Sequence, residues 1–433
     1  MDKQELKNAV CRVIDEKRDE IISIGETIRV APELGYKEYK TAALVESVFE
    51  KMGLDYENKI ALTGSMAKLK GKSDKIKMAI MGELDAVVCP GHPQADPVTG
   101  AAHSCGHFMQ IASMLGTGMA LKYSGAMEHL DGEIVLMAVP AEEAVEIEWR
   151  NSLIEEGTIS FIGGKQEMIK QGYFDDINMA MMCHGSTSDK IEIAETSTGF
   201  IVKYVRYTGK EAHAGGAPHL GINALNAATL GLQAVHMQRE TFKDQDTIRV
   251  HPIITKGGDL VNVVPADVRI ETYVRGKNMD GVIDASKKVN RALKAGADAF
   301  GATVEIKEIP GYMPRFNNKA MNNLFEANAI SVVGEERMTN NGHTTGSSDF
   351  GDIMHLMPAI HPYIGGAAGR GHSSDYQVED PDLFYIAPTK AMAMTVIDLL
   401  FDDAAVAKEI IADHVPVYKT KEEYLAAWEE ISK

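Results

Sequence analysis

The chain has 433 residues, 45% of them hydrophobic and 24% charged, with a formal net charge of −18. That length is too great for one ordinary core and asks for two domains, and the composition is that of a globular protein without repeats or low-complexity segments. The acidic balance argues against nucleic acid and anionic membrane as partners, and no run of about 18 apolar residues suggests a membrane span.

The charged start M-D-K-Q-E-L-K-N lacks the apolar stretch of a signal peptide. Residues 2–28 carry apolar side chains at helical spacing (Leu6, Val10, Val13, Ile14, Ile21, Ile22) and predict one long amphipathic helix, broken at 31–35; residues 39–52 predict a second. Three short apolar runs, 77–81, 133–139 and 178–183, suit buried parallel strands, with helix patterns at 108–123 and 165–171 between them and a loop at 89–99. This alternation predicts a doubly wound α/β domain with a mostly parallel sheet, in which ligands gather beyond the carboxyl ends of the strands. Asp85, Glu142, Glu143 and His184 each fall just past such an end.

The periodicity then changes. Strand patterns at 199–208, 247–255, 267–275 and 303–309, with helices at 221–236 and 279–300, give the order β-α-β-β-α-β. A ferredoxin-like α+β domain over 196–311 is therefore expected as an insert, with hinges near 196–199 and at Pro310-Gly311. Residues 1–195 and 312–433 would form the first domain, closing with an apolar helix at 387–400 and an acidic tail helix. Four scattered cysteines (Cys11, Cys89, Cys105, Cys183) without framework spacing fit a reducing, cytoplasmic setting.

The chemistry centres on A-H-S-C-G-H, residues 102–107. Cys105 and His107 flank Gly106, and thiolate and imidazole are common ligands of zinc and similar metals. With Glu143, His184 and His372 they make five candidate ligands, more than one tetrahedral ion needs. Two ions sharing a bridge fit better, and a Cys105 thiolate can hold both. Neighbours in an extended segment point apart, so Glu142 and Glu143 divide naturally into a general base and a ligand. An adjacent Glu pair is usually solvated surface, but here an apolar strand leads straight into it. A lone His184 is more often a core histidine, His103 an orienting group, and His92, His129, His236 and His414 surface or packing residues.

At these residues the sequence resembles the dinuclear metal amidohydrolases, the aminoacylase and carboxypeptidase-like peptidase family, and within it the p-aminobenzoyl-glutamate hydrolase and dipeptidase branch. The resemblance runs over nearly the whole chain. It is carried by G-E-L-D-A-V (82–87), H-S-C-G-H (103–107), P-A-E-E (140–143), C-H-G (183–185), G-K-E-A-H-A-G-G-A-P-H-L-G (209–221), N-V-V-P (262–265), S-S-D-F-G-D (347–352) and G-R-G-H-S (369–373). It implies Cys105, His107, Glu143, His184 and His372 as ligands of two divalent ions, zinc or manganese, with cobalt or nickel as further candidates. It implies Glu142 as general base and His213 as an oxyanion-stabilising histidine that reaches the active site of a partner subunit. Asn262 and Arg275 fall in its substrate-facing region, Asn262 being the better match for a carboxylate holder. The insert would act as lid and dimerisation domain of a homodimer. The substrate implied is a small N-acyl amino acid or dipeptide; an N-acetyl amino acid deacetylase and a metal-binding protein without catalysis are the alternatives. Three places depart from the pattern: Phe108 replaces an Asp or Asn, Glu83 stands where distant relatives carry a histidine ligand and is not counted as a ligand, and A-V-E-I-E-W-R follows Glu143 in place of a glycine run.

Overall fold

The computed structural model describes residues 1–431. Its largest sheet has six strands in the order Tyr56–Ile60, Gly64–Lys70, Glu133–Val139, Lys77–Glu83, Met179–Met181, Ala359–Ile360. The pairs among the last four strands are parallel; the first two strands add an antiparallel edge. Alternation explains why both faces are apolar. Met78, Ile80, Ile134 and Leu136 point into one core, while Ala79, Met81, Val135 and Met137 point into the other. Helix His107–Tyr123 covers the first face and is itself buried over residues 107–121. It lies so close that a Cβ on Gly82 would sit 2.9 Å from the Gln110 carbonyl carbon and the Ile111 nitrogen. Helix Gly164–Gln171 and the tail helix Lys421–Ile431 belong to the second core, where buried Asp352 accepts hydrogen bonds from Tyr424 Oη (2.8 Å) and Trp428 Nε1 (3.0 Å).

Register brings two of the chemical loops together. Glu83 pairs with Val139 across the parallel strands, so G-E-L-D and P-A-E-E leave the sheet side by side. Residues 199–312 build a separate four-stranded antiparallel sheet, ordered Arg249–Lys256, Asp267–Gly276, Gly199–Thr208, Thr303–Tyr312, with helices Ala224–Gln238 and Met279–Phe300 packed against it. Its connectivity is β-α-β-β-α-β. A third sheet joins Met338–His343, Ile191–Thr196, Tyr363–Ile364 and His184–Gly185.

Several elements differ from the sequence expectation. The long first helix is two, Lys3–Glu16 and Arg18–Arg29, because Lys17 leaves helical geometry (ψ 10°). Pro310 and Gly311 do not form a hinge but lie inside strand Thr303–Tyr312, which runs on to Tyr312. Strand Tyr56–Ile60 was not expected; it is a polar edge strand with an exposed middle, so it carries no apolar alternation. Helices Ile147–Glu155 and Lys319–Val333 also go beyond the expectation. Residues 382–413 are apolar and long enough to cross a membrane by composition, yet 94% of the most apolar window is buried inside the protein.

Candidate metal centre

Beyond the carboxyl ends of the parallel strands the five expected ligands converge. Gly106 adopts a left-handed φ of 98° and caps the helix that begins with His107; a Cβ there would meet Tyr376 Oη at 2.8 Å, so only glycine fits. His107 Nδ1 lies 2.9 Å from the Asp85 carbonyl oxygen and 3.1 Å from Asp85 Oδ1, which places the proton on Nδ1 and leaves Nε2 as a free donor of electrons. That Nε2 and Glu143 Oε1 are buried and make no hydrogen bond of good geometry, though a charged group lies close to each: Glu83 Oε2 3.1 Å from the first and His372 Nε2 3.2 Å from the second. His184 Nδ1 lies 2.8 Å from the Gly185 carbonyl oxygen, and its Nε2 is 3.6 Å from Cys105 Sγ. His372 Nε2 stands 3.2 Å from Cys105 Sγ and 3.2 Å from Glu143 Oε1.

Two triads emerge in which the donor atoms lie within 4.8 Å of one another: Cys105, His107 and His184, and Cys105, Glu143 and His372. Cys105 belongs to both. The thiol is pushed up by burial and by Glu143, but His372, His184 and His107 outweigh them and hold it at about 6, so the thiolate is the resting form near neutrality. Buried, unpartnered nitrogen and oxygen atoms around a thiolate are a donor set that fits divalent transition ions.

The turn carrying the two glutamates is strained. Ala141 has φ 55°, and its N–H donates to buried Glu38 Oε1 at 2.7 Å. Glu143 N–H donates to Asp85 Oδ2 at 2.8 Å, so Asp85 fixes both His107 and the Glu143 backbone. Two tyrosines of the inserted sheet hold the same turn: Tyr312 Oη donates to the Glu142 carbonyl and Tyr273 Oη to the Ala144 carbonyl. The neighbouring carboxyls diverge in acidity. Burial, Glu83 and Glu143 push Glu142 well above the usual range, whereas His372 and His107 overcome burial and hold Glu143 at about 2.

Glu83 joins the site in a way that spacing did not reveal. It is fully buried, 3.1 Å from His107 Nε2, and forms a third close group with His107 and Glu142. Its own oxygens are taken: Oε1 accepts from Lys165 Nζ at 2.5 Å and Oε2 from Gln110 Nε2 at 2.7 Å. Lys165, also fully buried, reaches Asp349 Oδ1 at 2.5 Å as well. Burial pulls the Lys165 ammonium down, but Asp349 and Glu83 outweigh it and keep it charged.

A cavity of about 410 Å³ opens over the cluster, walled by Phe200, Tyr273, Arg275, Tyr312, Ser347 and Tyr363. Arg275 is thus brought to the site, and its Nε is buried without a hydrogen-bond partner. His213 and Asn262 are not. They sit together on the exposed part of the insert, Asn262 Nδ2 3.4 Å from His213 Nε2, with Gly216 N–H donating to His213 Nδ1 at 2.8 Å. Within one chain, therefore, Asn262 lies away from the cavity.

Comparison with known proteins places the chain in a family. The family model described as "Peptidase family M20/M25/M40" matches residues 79–389, which include every expected site residue. The chain is 27% identical over 424 residues to the Xaa-Arg dipeptidase of Homo sapiens, covering 92% of this chain and 88% of that protein. It is 24% identical over 397 residues to the IAA-amino acid hydrolase ILR1-like 4 of Arabidopsis thaliana, covering 87% and 85%. The crystal structure of the aminobenzoyl-glutamate utilization protein from Klebsiella pneumoniae superposes with a TM-score of 0.67 at 17% identity, covering 90% of this chain and 98% of that one.

Proposed function

The chain belongs to peptidase family M20/M25/M40 and is a hydrolytic enzyme, and from that premise we propose that it cleaves the amide bond of a small N-acyl amino acid or dipeptide with two divalent ions. One observation carries this reading: Cys105 is shared by two ligand triads beside a carboxyl pair whose acidities are driven apart. Such divergence is how two like groups take different tasks. Glu143, held ionised, suits a ligand; Glu142, the more basic of the two, suits a group that accepts a proton from the attacking water and returns it to the leaving amine. When bound, the ions would polarise the scissile carbonyl and make water more acidic; zinc and manganese are the first candidates, cobalt and nickel the next.

The remaining steps belong to the chain's own groups. Asp85 holds the His107 ring so that Nε2 faces the cluster. Phe200, Tyr273 and Tyr312 wall the cavity with packed aromatic rings. Arg275 offers a guanidinium for the substrate carboxylate, with bidentate geometry available to it. His213 and Asn262 are exposed in one chain and serve a second copy: His213 would steady the oxyanion in the partner's cavity and Asn262 would contact the substrate there. The insert is thereby the lid and dimerisation domain of a homodimer, residues 196–311 against 1–195 and 312–433. A free Cys105 thiolate suits a reducing, cytoplasmic setting.

The test is a panel of N-acyl amino acids and dipeptides with added zinc, manganese or cobalt. Glu142→Gln should keep its metal and lose about 10²–10⁴ in turnover; normal turnover in that variant overturns the assignment.

A further inference from the structure

Glu142 is 5% exposed, yet no hydrogen bond fixes its carboxyl. Oε2 lies 3.7 Å from His107 Nε2, too far for a hydrogen bond, and no described residue donates to either oxygen. Where that carboxyl stands is therefore set by the backbone that carries it. Strand Glu133–Val139 ends, Pro140 follows, and Ala141 turns the chain with its φ of 55°. A left-handed alanine is costly and persists only where its surroundings impose it.

Glu38 makes the contact that imposes it. It is fully buried and both its oxygens are used: Oε1 accepts the Ala141 N–H at 2.7 Å, and Oε2 the Thr63 hydroxyl at 2.5 Å. The Ala141 carbonyl is held from the other side by the Gly164 N–H at 3.2 Å. The segments that bring Glu38 and Thr63 here are strained in the same way, with φ of 64° at Tyr36, 43° at Ala61 and 77° at Leu62. A Cβ on Gly35 would stand 2.8 Å from Ala141 Cα, so the loop leading to Glu38 lies against the turn itself. Glu38 begins helix Tyr39–Lys51, but its side chain does not cap that helix; it reaches to Ala141 instead. Strain gathered around one buried carboxyl in this way is found where a site must be held in a single geometry.

We infer that Glu38 is a positioning residue for hydrolysis: by accepting from the Ala141 N–H it holds the left-handed turn that presents Glu142 to the cavity. This rests on the reading of Glu142 as proton carrier given above. A small displacement of that carboxyl is enough to slow the chemistry while the cavity walls go on binding substrate.

The experiment is a double-mutant cycle on kcat and KM. Glu38→Ala should lower kcat about 10–100-fold. KM and metal content should stay close to wild type, because Asp85 still holds the Glu143 N–H. Glu38→Gln keeps a carbonyl oxygen for Ala141 and should recover most of the loss. Adding Ala141→Gly to Glu38→Ala, with Ala141→Gly alone as reference, should restore kcat about tenfold, since glycine takes a positive φ unaided. In metal-free protein the Ala141 amide should exchange hydrogen slowly in wild type and in Glu38→Gln, and about tenfold faster or more in Glu38→Ala. Wild-type kcat in Glu38→Ala, no restoration by the added glycine, or an equally slow amide overturns the inference while the hydrolase reading stands. Should Glu38→Ala not fold, Thr63→Val frees one Glu38 oxygen and carries the same cycle with a smaller loss; no loss, or a loss that Ala141→Gly does not restore, overturns it. A wild type that cleaves no N-acyl amino acid or dipeptide overturns both.

Discussion

Around Lys165 each charged group has its counterpart inside the same chain: the ammonium reaches Glu83 and Asp349, Glu83 takes Gln110, and all three charged side chains are shut off from water. Around His213 the reverse holds. His213 and Asn262 are exposed, and near them Leu220, Leu260 and Val261 are 57%, 64% and 99% exposed, while Ile253 and Ile254 stand out from an edge strand whose outer side pairs with nothing among the described residues. A long edge strand with exposed apolar residues is a surface that another chain can cover. The contrast teaches where self-sufficiency ends: the base of the cluster is completed by one chain, and we read the tip of the insert as completed by a second.

The sharpest way to break this contrast is subunit mixing. Glu142→Gln and His213→Ala should each be nearly inactive alone. Co-refolded in equal amounts they should regain about a quarter of the wild-type sites, because one site of each mixed dimer draws an intact Glu142 and an intact His213 from different copies. No recovery in verified mixed dimers would place the work of His213 inside its own chain. Next in size, Lys165→Met strands two buried carboxylates and should cost about 3–5 kcal/mol in denaturant unfolding. A cost within error would mean that the sealed end is not held by this pair.

The smallest effect concerns Glu38, which pins Ala141 and accepts from Thr63 Oγ1 at 2.5 Å. Burial and the charge of Asp85 raise its carboxyl to about 7. The folded state therefore binds a proton that the unfolded state releases near pH ~4.5, so this group favours folding below that pH and its contribution is lost as pH rises to about 7. In metal-free protein, Glu38→Gln should remove up to about 3 kcal/mol of that decline. Thermal unfolding of both proteins from acid to neutral pH checks it; parallel curves would refute it.

How much of the molecule was legible in the sequence depends on how each signal is encoded. Cys105, His107, the Glu142–Glu143 pair and His184 could be found because each sits where an apolar run meets polar residues, and strand register then forces them together. Lys165 could not. It lies in a polar helix, G-K-Q-E-M-I-K-Q, that reads as solvated surface, and its partners are 82 and 184 positions away in sequence. Glu38 and Ala141, 103 positions apart, are hidden for the same reason. Strand Ile191–Thr196 is different: its alternation of Ile191 and Ile193 with Glu192 was present in the sequence and was passed over. The four-stranded sheet of residues 199–312 and its β-α-β-β-α-β order were legible because its strands alternate cleanly, as in Asp267–Gly276.

The two tyrosines that reach out of the inserted sheet have a consequence of their own. Tyr312 grips the carbonyl of Glu142 and Tyr273 that of Ala144, so the proton-carrying turn is fastened to the insert and not only to the sheet beneath it. If the insert swings out to admit a molecule, as the proposed lid role would require, both carbonyls are unlatched and the turn slackens. Admission and readiness would then exclude one another, and a gaping molecule would be a dormant one.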